Sequence, residues 1–93
     1  MRAHRPLFRE TVGLGFGMRY HRWRATGRPF KAARFEATGG FAIVHRCTRT
    51  PGWWQVSYFD RDGAIGDCRR PTLDKALRDS DLDHGYRLVE VAL

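Results

Sequence analysis

The residues in this chain best suited to chemistry lie together at Arg19-Tyr20-His21-Arg22-Trp23-Arg24, with Arg28, Lys31 and Arg34 close behind. Guanidinium groups displace counterions from phosphates and fork onto phosphate oxygens or guanine edges, while aromatic rings stack on bases or pack on sugars. In an extended backbone Tyr20, Arg22 and Arg24 share one face and Arg19, His21 and Trp23 the other, so each face offers both a cation and a ring. That combination points to a nucleic-acid surface whose expected contacts are Arg19, Tyr20, Arg22, Trp23, Arg24, Arg28, Lys31 and Arg34. The same pattern also describes an edge strand whose rings anchor it to a core while its arginines keep it soluble. A third fit is a basic face docked on an acidic protein surface.

Other constellations offer less. Gly13, Gly15 and Gly17 form Gly-x-Gly-x-Gly, but a phosphate cradle needs a following helix start and, in a P-loop, a Lys-Ser/Thr pair, and Met18-Arg19-Tyr20-His21 supplies neither. His45, Cys47, Cys68 and His84 could each bind zinc, yet no Cys-x2-Cys or His-x3-His pair brings two ligands together. His45 and Cys47 therefore read as core residues, and neither cysteine carries the surroundings of a nucleophile. Asp60-x-Asp62-Gly63 starts like a calcium loop but lacks its closing Glu, so it reads as a turn. Asp79, Asp81 and Asp83 crowd a helix C-terminus, where the dipole favours cations. Internal pairing with the arginine-rich N-terminal half is the expected reason. No acid/base pair, nucleophile or metal set meets the spacing that catalysis demands. The expectation is a non-enzyme with no cofactor and no metal.

The charge that supports this reading is unevenly spread. The net +7 of the 93 residues divides into +9 for residues 1–49 and −2 for residues 50–93. Arginine supplies all the basic residues except Lys31 and Lys75. A GC-rich gene inflates arginine over lysine without functional demand, but it does not explain a basic half beside an acidic one. Two cysteines are too few for a disulfide scaffold, and they read as buried thiols of a reducing compartment. No apolar run is long enough to span a membrane, and the N-terminal residues lead into no apolar signal segment, so a cytoplasmic protein is expected.

The elements that must position these groups are clearer in the second half. Phe41-Ala42-Ile43-Val44-His45-Arg46-Cys47-Thr48 reads as a strand with Phe41, Ile43, His45 and Cys47 on one face. Thr50-Pro51-Gly52 turns the chain into a second strand over 53–60, where Trp54, Val56 and Tyr58 share a face and Trp53 points the other way. Asp62-Gly63 turns it again into a third strand over 64–69, with a bend or bulge at Gly66. Thr72 caps a short helix expected to end near Leu82, and residues 86–93 form a last strand with Val89, Val91 and Leu93 on one side. The order from residue 41 is β-β-β-α-β. Residues 19–24 and 30–37 are further strands, or in the second case a turn or two of helix, and residues 1–17 read as a flexible arm. The fold class is α+β: one domain over 18–93, with an antiparallel sheet of three to five strands and one helix on one face. The terminal strand has an open edge that invites homodimer pairing.

Over residues 53–79, Trp-x-Val-x-x-Phe-Asp-x-Asp-Gly-x-x-Gly, running from Trp54, followed by Thr-Leu-Asp-Lys-Ala-Leu from Thr72, resembles part of small phage and prophage proteins. More loosely it resembles the AP2-like and integrase arm-binding modules of a three-stranded sheet and a helix. The resemblance implies a sheet that reads DNA through arginines and aromatics while the helix packs behind it. Its matching positions, Trp54, Val56, Phe59, Gly63, Ala76 and Leu77, are structural.

Overall fold

The computed structural model describes residues 6–16 and 18–93. Among them, seven strands and one helix follow as β1 (Leu7–Gly15), β2 (Met18–Ala25), β3 (Ala32–Ala37), β4 (Gly40–Arg46), β5 (Trp54–Asp60), β6 (Gly63–Arg70), α1 (Leu73–Asp79) and β7 (Arg87–Ala92). Five strands form an antiparallel sheet in the order β6-β5-β4-β3-β7, while β1 and β2 pair separately as a two-stranded ribbon. The fold is α+β and mostly antiparallel sheet, and from β4 onward the element order is the expected one. Residues 19–24 and 32–37 are both strands. Of the expected arm over 1–17, residues 7–15 pair with β2 in register from Leu7↔Ala25 to Gly15↔Met18, whereas residues 1–5 and 17 lie outside the described residues.

Local chemistry explains the turns. The Trp53 amide donates to the Thr50 carbonyl at 3.1 Å, and Gly52 takes the positive φ of 86° that closes this turn. The Asp60 carboxylate accepts the Asp62 amide at 2.7 Å. The Thr72 hydroxyl caps α1 by accepting the Lys75 amide at 3.2 Å. The helix stops at Asp79 and not near Leu82. Ser80 is extended, and its hydroxyl donates to the Leu77 carbonyl at 2.8 Å and accepts the Leu82 amide at 3.4 Å, taking over bonds that another helical turn would make.

One face of the five-stranded sheet carries the core. Ala33 and Phe35 of β3, Ala42 and Val44 of β4, and Trp54 and Val56 of β5 are buried beneath Leu7 and Trp23 of the ribbon, Ala76 and Leu77 of α1, and Leu82 beyond it. The ring of Trp23 meets that of Phe35 edge-on, with centroids 4.9 Å apart at 77°. This corrects the expected face of β4. Ala42 lies opposite the large Phe35 on β3 and Tyr58 on β5, so small residues fill the core positions while Phe41, Ile43 and His45 turn outward. Phe41 finds cover there, stacked on Phe59 at 4.8 Å and lying beneath the Arg34 guanidinium at 3.9 Å. His45, expected in the core, instead shares a hydrogen bond of 2.9 Å with the Ser57 hydroxyl. Cys47 is buried just past the strand end, and Cys68 is half-buried; both are free thiols.

The face of β7 also differs from expectation. The register breaks between Arg34 and Phe35, so that Glu90 pairs with the first and Leu88 with the second. Val89 is the extra residue, 42% exposed, and Leu88 and Val91 pack on the core in its place. A matching break places Ile65 outside the pairing of β5 with β6, next to the expected Gly66. The β4–β5 register has its own lock, because a β-carbon on Gly40 would collide with the Phe59 carbonyl oxygen. Gly40→Ala is expected to lower stability by about 1–3 kcal/mol through forced strand separation. Gly66→Ala, where a β-carbon meets nothing within 4 Å, serves as the control and should change it little; urea denaturation of both variants compares them.

Candidate nucleic-acid interface

Strand alternation sorts the basic cluster. With β2 paired to β1, Arg24 lies opposite Phe8, Arg22 opposite Glu10 and Tyr20 opposite Gly13, so Tyr20, Arg22 and Arg24 line the outer face of the ribbon as the sequence implies. Tyr20 is 55% exposed. Its ring lies across Gly13, where an added β-carbon would come within 3.4 Å of the hydroxyl. Glu10 sits between the two arginines, 3.3 Å from Arg24 Nη1 and 3.8 Å from Arg22 Nε. One carboxylate thus orients two guanidinium groups and leaves a net positive charge.

Trp23, expected to stack on a ligand, is 7% exposed and belongs to the core. Its indole is committed to Phe35, and the Arg9 guanidinium stands 5.6 Å over its ring. Arg34 is separated from the others. It lies on the uncovered face of the sheet, bound to Glu36 at 3.2 Å and to the Phe41 ring. Arg28 and Lys31 are exposed in the segment between β2 and β3, and Arg19 is exposed near the ribbon tip. The eight expected contacts therefore do not form one surface. Tyr20, Arg22 and Arg24 do, while Arg19, next to Tyr20 in the strand, belongs to the opposite face.

The structure brings two other cations to that surface. Helix α1 packs beside β2, and between them runs a cleft of about 200 Å³ lined by Arg22, Trp23, Arg24, Asp74, Lys75 and Arg78. Lys75 and Arg78 are three residues apart and thus neighbours on the helix surface. They lie some fifty positions from Arg24 in sequence, so a search for local charge clusters passes over them. One available hint is the stripe Leu73, Ala76 and Leu77, which, once buried, leaves Lys75 and Arg78 beside the packed face. Among the described residues no carboxylate forms an ion pair with Lys75. Arg78 Nε reaches Asp79 Oδ1 at 2.9 Å while Arg70 Nε holds Oδ2 at 2.8 Å, again two arginines on one carboxylate. Arg78 and Arg70 hold the Asp79 carboxyl down at about 2.

Carboxylates of the second half also fix the edge of β2. The Trp23 amide donates to Asp83 Oδ1 at 2.9 Å and the Ala25 amide to Asp74 Oδ1 at 3.4 Å. Asp83 is thus tied to the N-terminal half, though through backbone; Asp79 pairs within its own half, and the Asp81 amide donates to the Tyr58 hydroxyl at 2.7 Å. Elsewhere, the Thr50 amide, 3.4 Å from Cys47 Sγ, holds that thiol below its ordinary value. Among the described residues no three His, Cys, Asp or Glu side chains converge as a metal site, and no helix is long and apolar enough to cross a membrane. Comparisons with protein-family profiles, curated proteins and solved structures find no match to this chain.

Burial raises the Asp83 carboxyl above the ordinary carboxylate value, against the opposing pull of the Trp23 amide. A raised folded value favours the protonated form, so this contribution to stability is present in acid and declines as pH rises through the folded value. Asp83→Asn keeps an acceptor for the Trp23 amide and removes the charge. Its stability should match or exceed that of the parent at neutral pH, with the difference closing in acid. Asp83→Ala leaves the amide unpaired and should cost about 1 kcal/mol. Thermal unfolding of both variants across pH separates the two effects.

Proposed function

We propose that the protein is a small non-enzymatic binding module that holds nucleic acid along the outer face of the ribbon and the adjoining cleft. The carrying observation is the convergence of Arg22 and Arg24 from β2 with Lys75 and Arg78 from α1 around one cleft. Four cations on two rigid elements can bridge successive phosphates, and the exposed Tyr20 supplies a ring beside them. Glu10 and Asp79 support this role because each orients two guanidinium groups and neutralises only one, so that a positive excess remains even with Asp74 in the cleft lining. The uncovered sheet face is a weaker candidate. Its arginines Arg34, Arg69 and Arg87 alternate with Glu36, Asp67 and Glu90, which gives no net attraction for phosphate.

Fluorescence anisotropy with single- and double-stranded oligonucleotides tests the proposal. Four phosphate contacts on a duplex imply that log affinity falls with log salt at a slope of about −3 to −4. Arg24→Ala and Lys75→Ala should each reduce that slope by about 1, whereas Arg34→Ala should leave it unchanged. Absence of binding to either oligonucleotide at ~50 mM salt would overturn the reading. A ligand retained by the cleft in a pull-down after nuclease digestion would transfer the site to an acidic protein surface.

A second reading concerns self-association. β7 forms one edge of the sheet, and Val89 and Leu93 are 42% and 78% exposed on or beside it. Antiparallel pairing of two copies through β7 would cover both residues and satisfy the edge. Size-exclusion chromatography with light scattering should then report a dimer that dissociates on Val89→Lys substitution; a monomer at all concentrations sinks it.

A further inference from the structure

Phe16, at the far end of the ribbon, serves neither the core nor the cleft. It is the most exposed large apolar residue described, at 107% relative accessibility, and it has a positive φ of 51°. Gly15 and Met18 are paired, so Phe16 lies where the ribbon turns back on itself. The tight turns favoured by hairpins ask for positive φ, which glycine adopts without strain. The sequence places glycines at 15 and 17 but phenylalanine between them. A bulky side chain in a left-handed backbone is strained, and at this position no core contact offsets the strain. Strain of this kind concentrates where function over-rides it.

The position of the ring limits what it can do. From Trp23, the last core residue of β2, to Phe16 the ribbon runs for roughly 20 Å at ~3.3 Å per residue, with Arg19, Tyr20 and Arg22 along the way. Strands can enter either groove of B-form DNA, and apolar side chains presented in the minor groove enter between base steps and kink the duplex. A single strand would instead need a row of ring faces along a groove. Phe16 has no ring partner among the described residues, and the Tyr20 ring lies over Gly13. An apolar tip with arginines behind it also suits insertion into a membrane surface. However, a flat bilayer met end-on reaches only the tip, whereas a duplex lying along the ribbon touches the tip and the basic cleft together.

We propose that the ligand is double-stranded DNA and that Phe16 is a wedge which enters the base stack and kinks the duplex where the ribbon ends. This rests on the nucleic-acid reading above and adds to it the duplex and its deformation. The test uses the full chain and one duplex carrying a donor and acceptor at its ends and 2-aminopurine within it, with binding read separately by anisotropy. The parent protein should shorten the end-to-end distance and raise 2-aminopurine fluorescence on binding. Phe16→Gly and Phe16→Ala should still bind with the same salt slope but lose both changes. Phe16→Gly should melt at or above the parent temperature, since glycine relieves the left-handed backbone, which excludes misfolding as the cause. If the parent gives no anisotropy change with DNA, the nucleic-acid reading fails and the wedge with it. Binding without bending or unstacking, or undiminished bending by Phe16→Gly, overturns the wedge alone. So does Phe16-dependent binding to phosphatidylserine vesicles with the duplex left stacked.

Discussion

The edge-on contact of Trp23 with Phe35 is the joint on which the architecture depends. A two-stranded ribbon is marginal by itself in water, and this one gains its place by lowering one indole, together with Leu7, onto the sheet. Strand alternation does the rest. With Trp23 turned inward, Arg22 and Arg24 must point outward, and the helix that completes the core beside Trp23 brings Lys75 and Arg78 alongside them. The basic cleft is therefore a by-product of how the core closes. Asp83 and Asp74 reinforce the joint by accepting the Trp23 and Ala25 amides, which would otherwise be left at an open strand edge.

Charge is organised by a repeated device. Glu10 serves Arg22 and Arg24, Asp79 serves Arg70 and Arg78, and Glu36 serves Arg34 at 3.2 Å and Arg87 at 4.0 Å. Exposed pairs of this kind contribute little to stability. Their effect is geometric: a shared carboxylate limits where two flexible side chains can go and leaves one positive charge uncancelled. The abundance of arginine suits this arrangement, since a planar fork can engage a carboxylate with one edge and present the other.

Much of the fold was legible in the sequence. Thr50-Pro51-Gly52, Asp60 to Gly63 and Thr72 marked two turns and a helix cap because their side chains act locally. The faces of β4 and β7 were not legible, for a shared physical reason. Which alternate set is buried in β4 depends on the size of Phe35 and Tyr58 across the sheet, and the phase of β7 depends on an extra residue at Val89 that only its pairing with β3 reveals. The basic-aromatic strand was recognised, along with the opposite orientations of its two faces. That Trp23 belongs to the core, that Arg34 sits across the sheet, and that Lys75 and Arg78 complete the cleft are all consequences of long-range packing. The glycine-spaced stretch before Met18 has too sparse an apolar pattern to announce a strand, and glycine opposite Tyr20 is what lets that ring lie down across the ribbon.

A ribbon clamped at its root and free at its end is also a lever. Any load applied near Phe16 acts over roughly 20 Å before it meets the Trp23 joint, so a modest force at the tip becomes a large torque on the indole and on the amides held by Asp83 and Asp74. The carboxylate ties resist sliding of β2 along the helix, while the edge-on ring contact resists tilting. Mechanical load would be transmitted from the tip to the core in which the ribbon, the helix and the sheet meet.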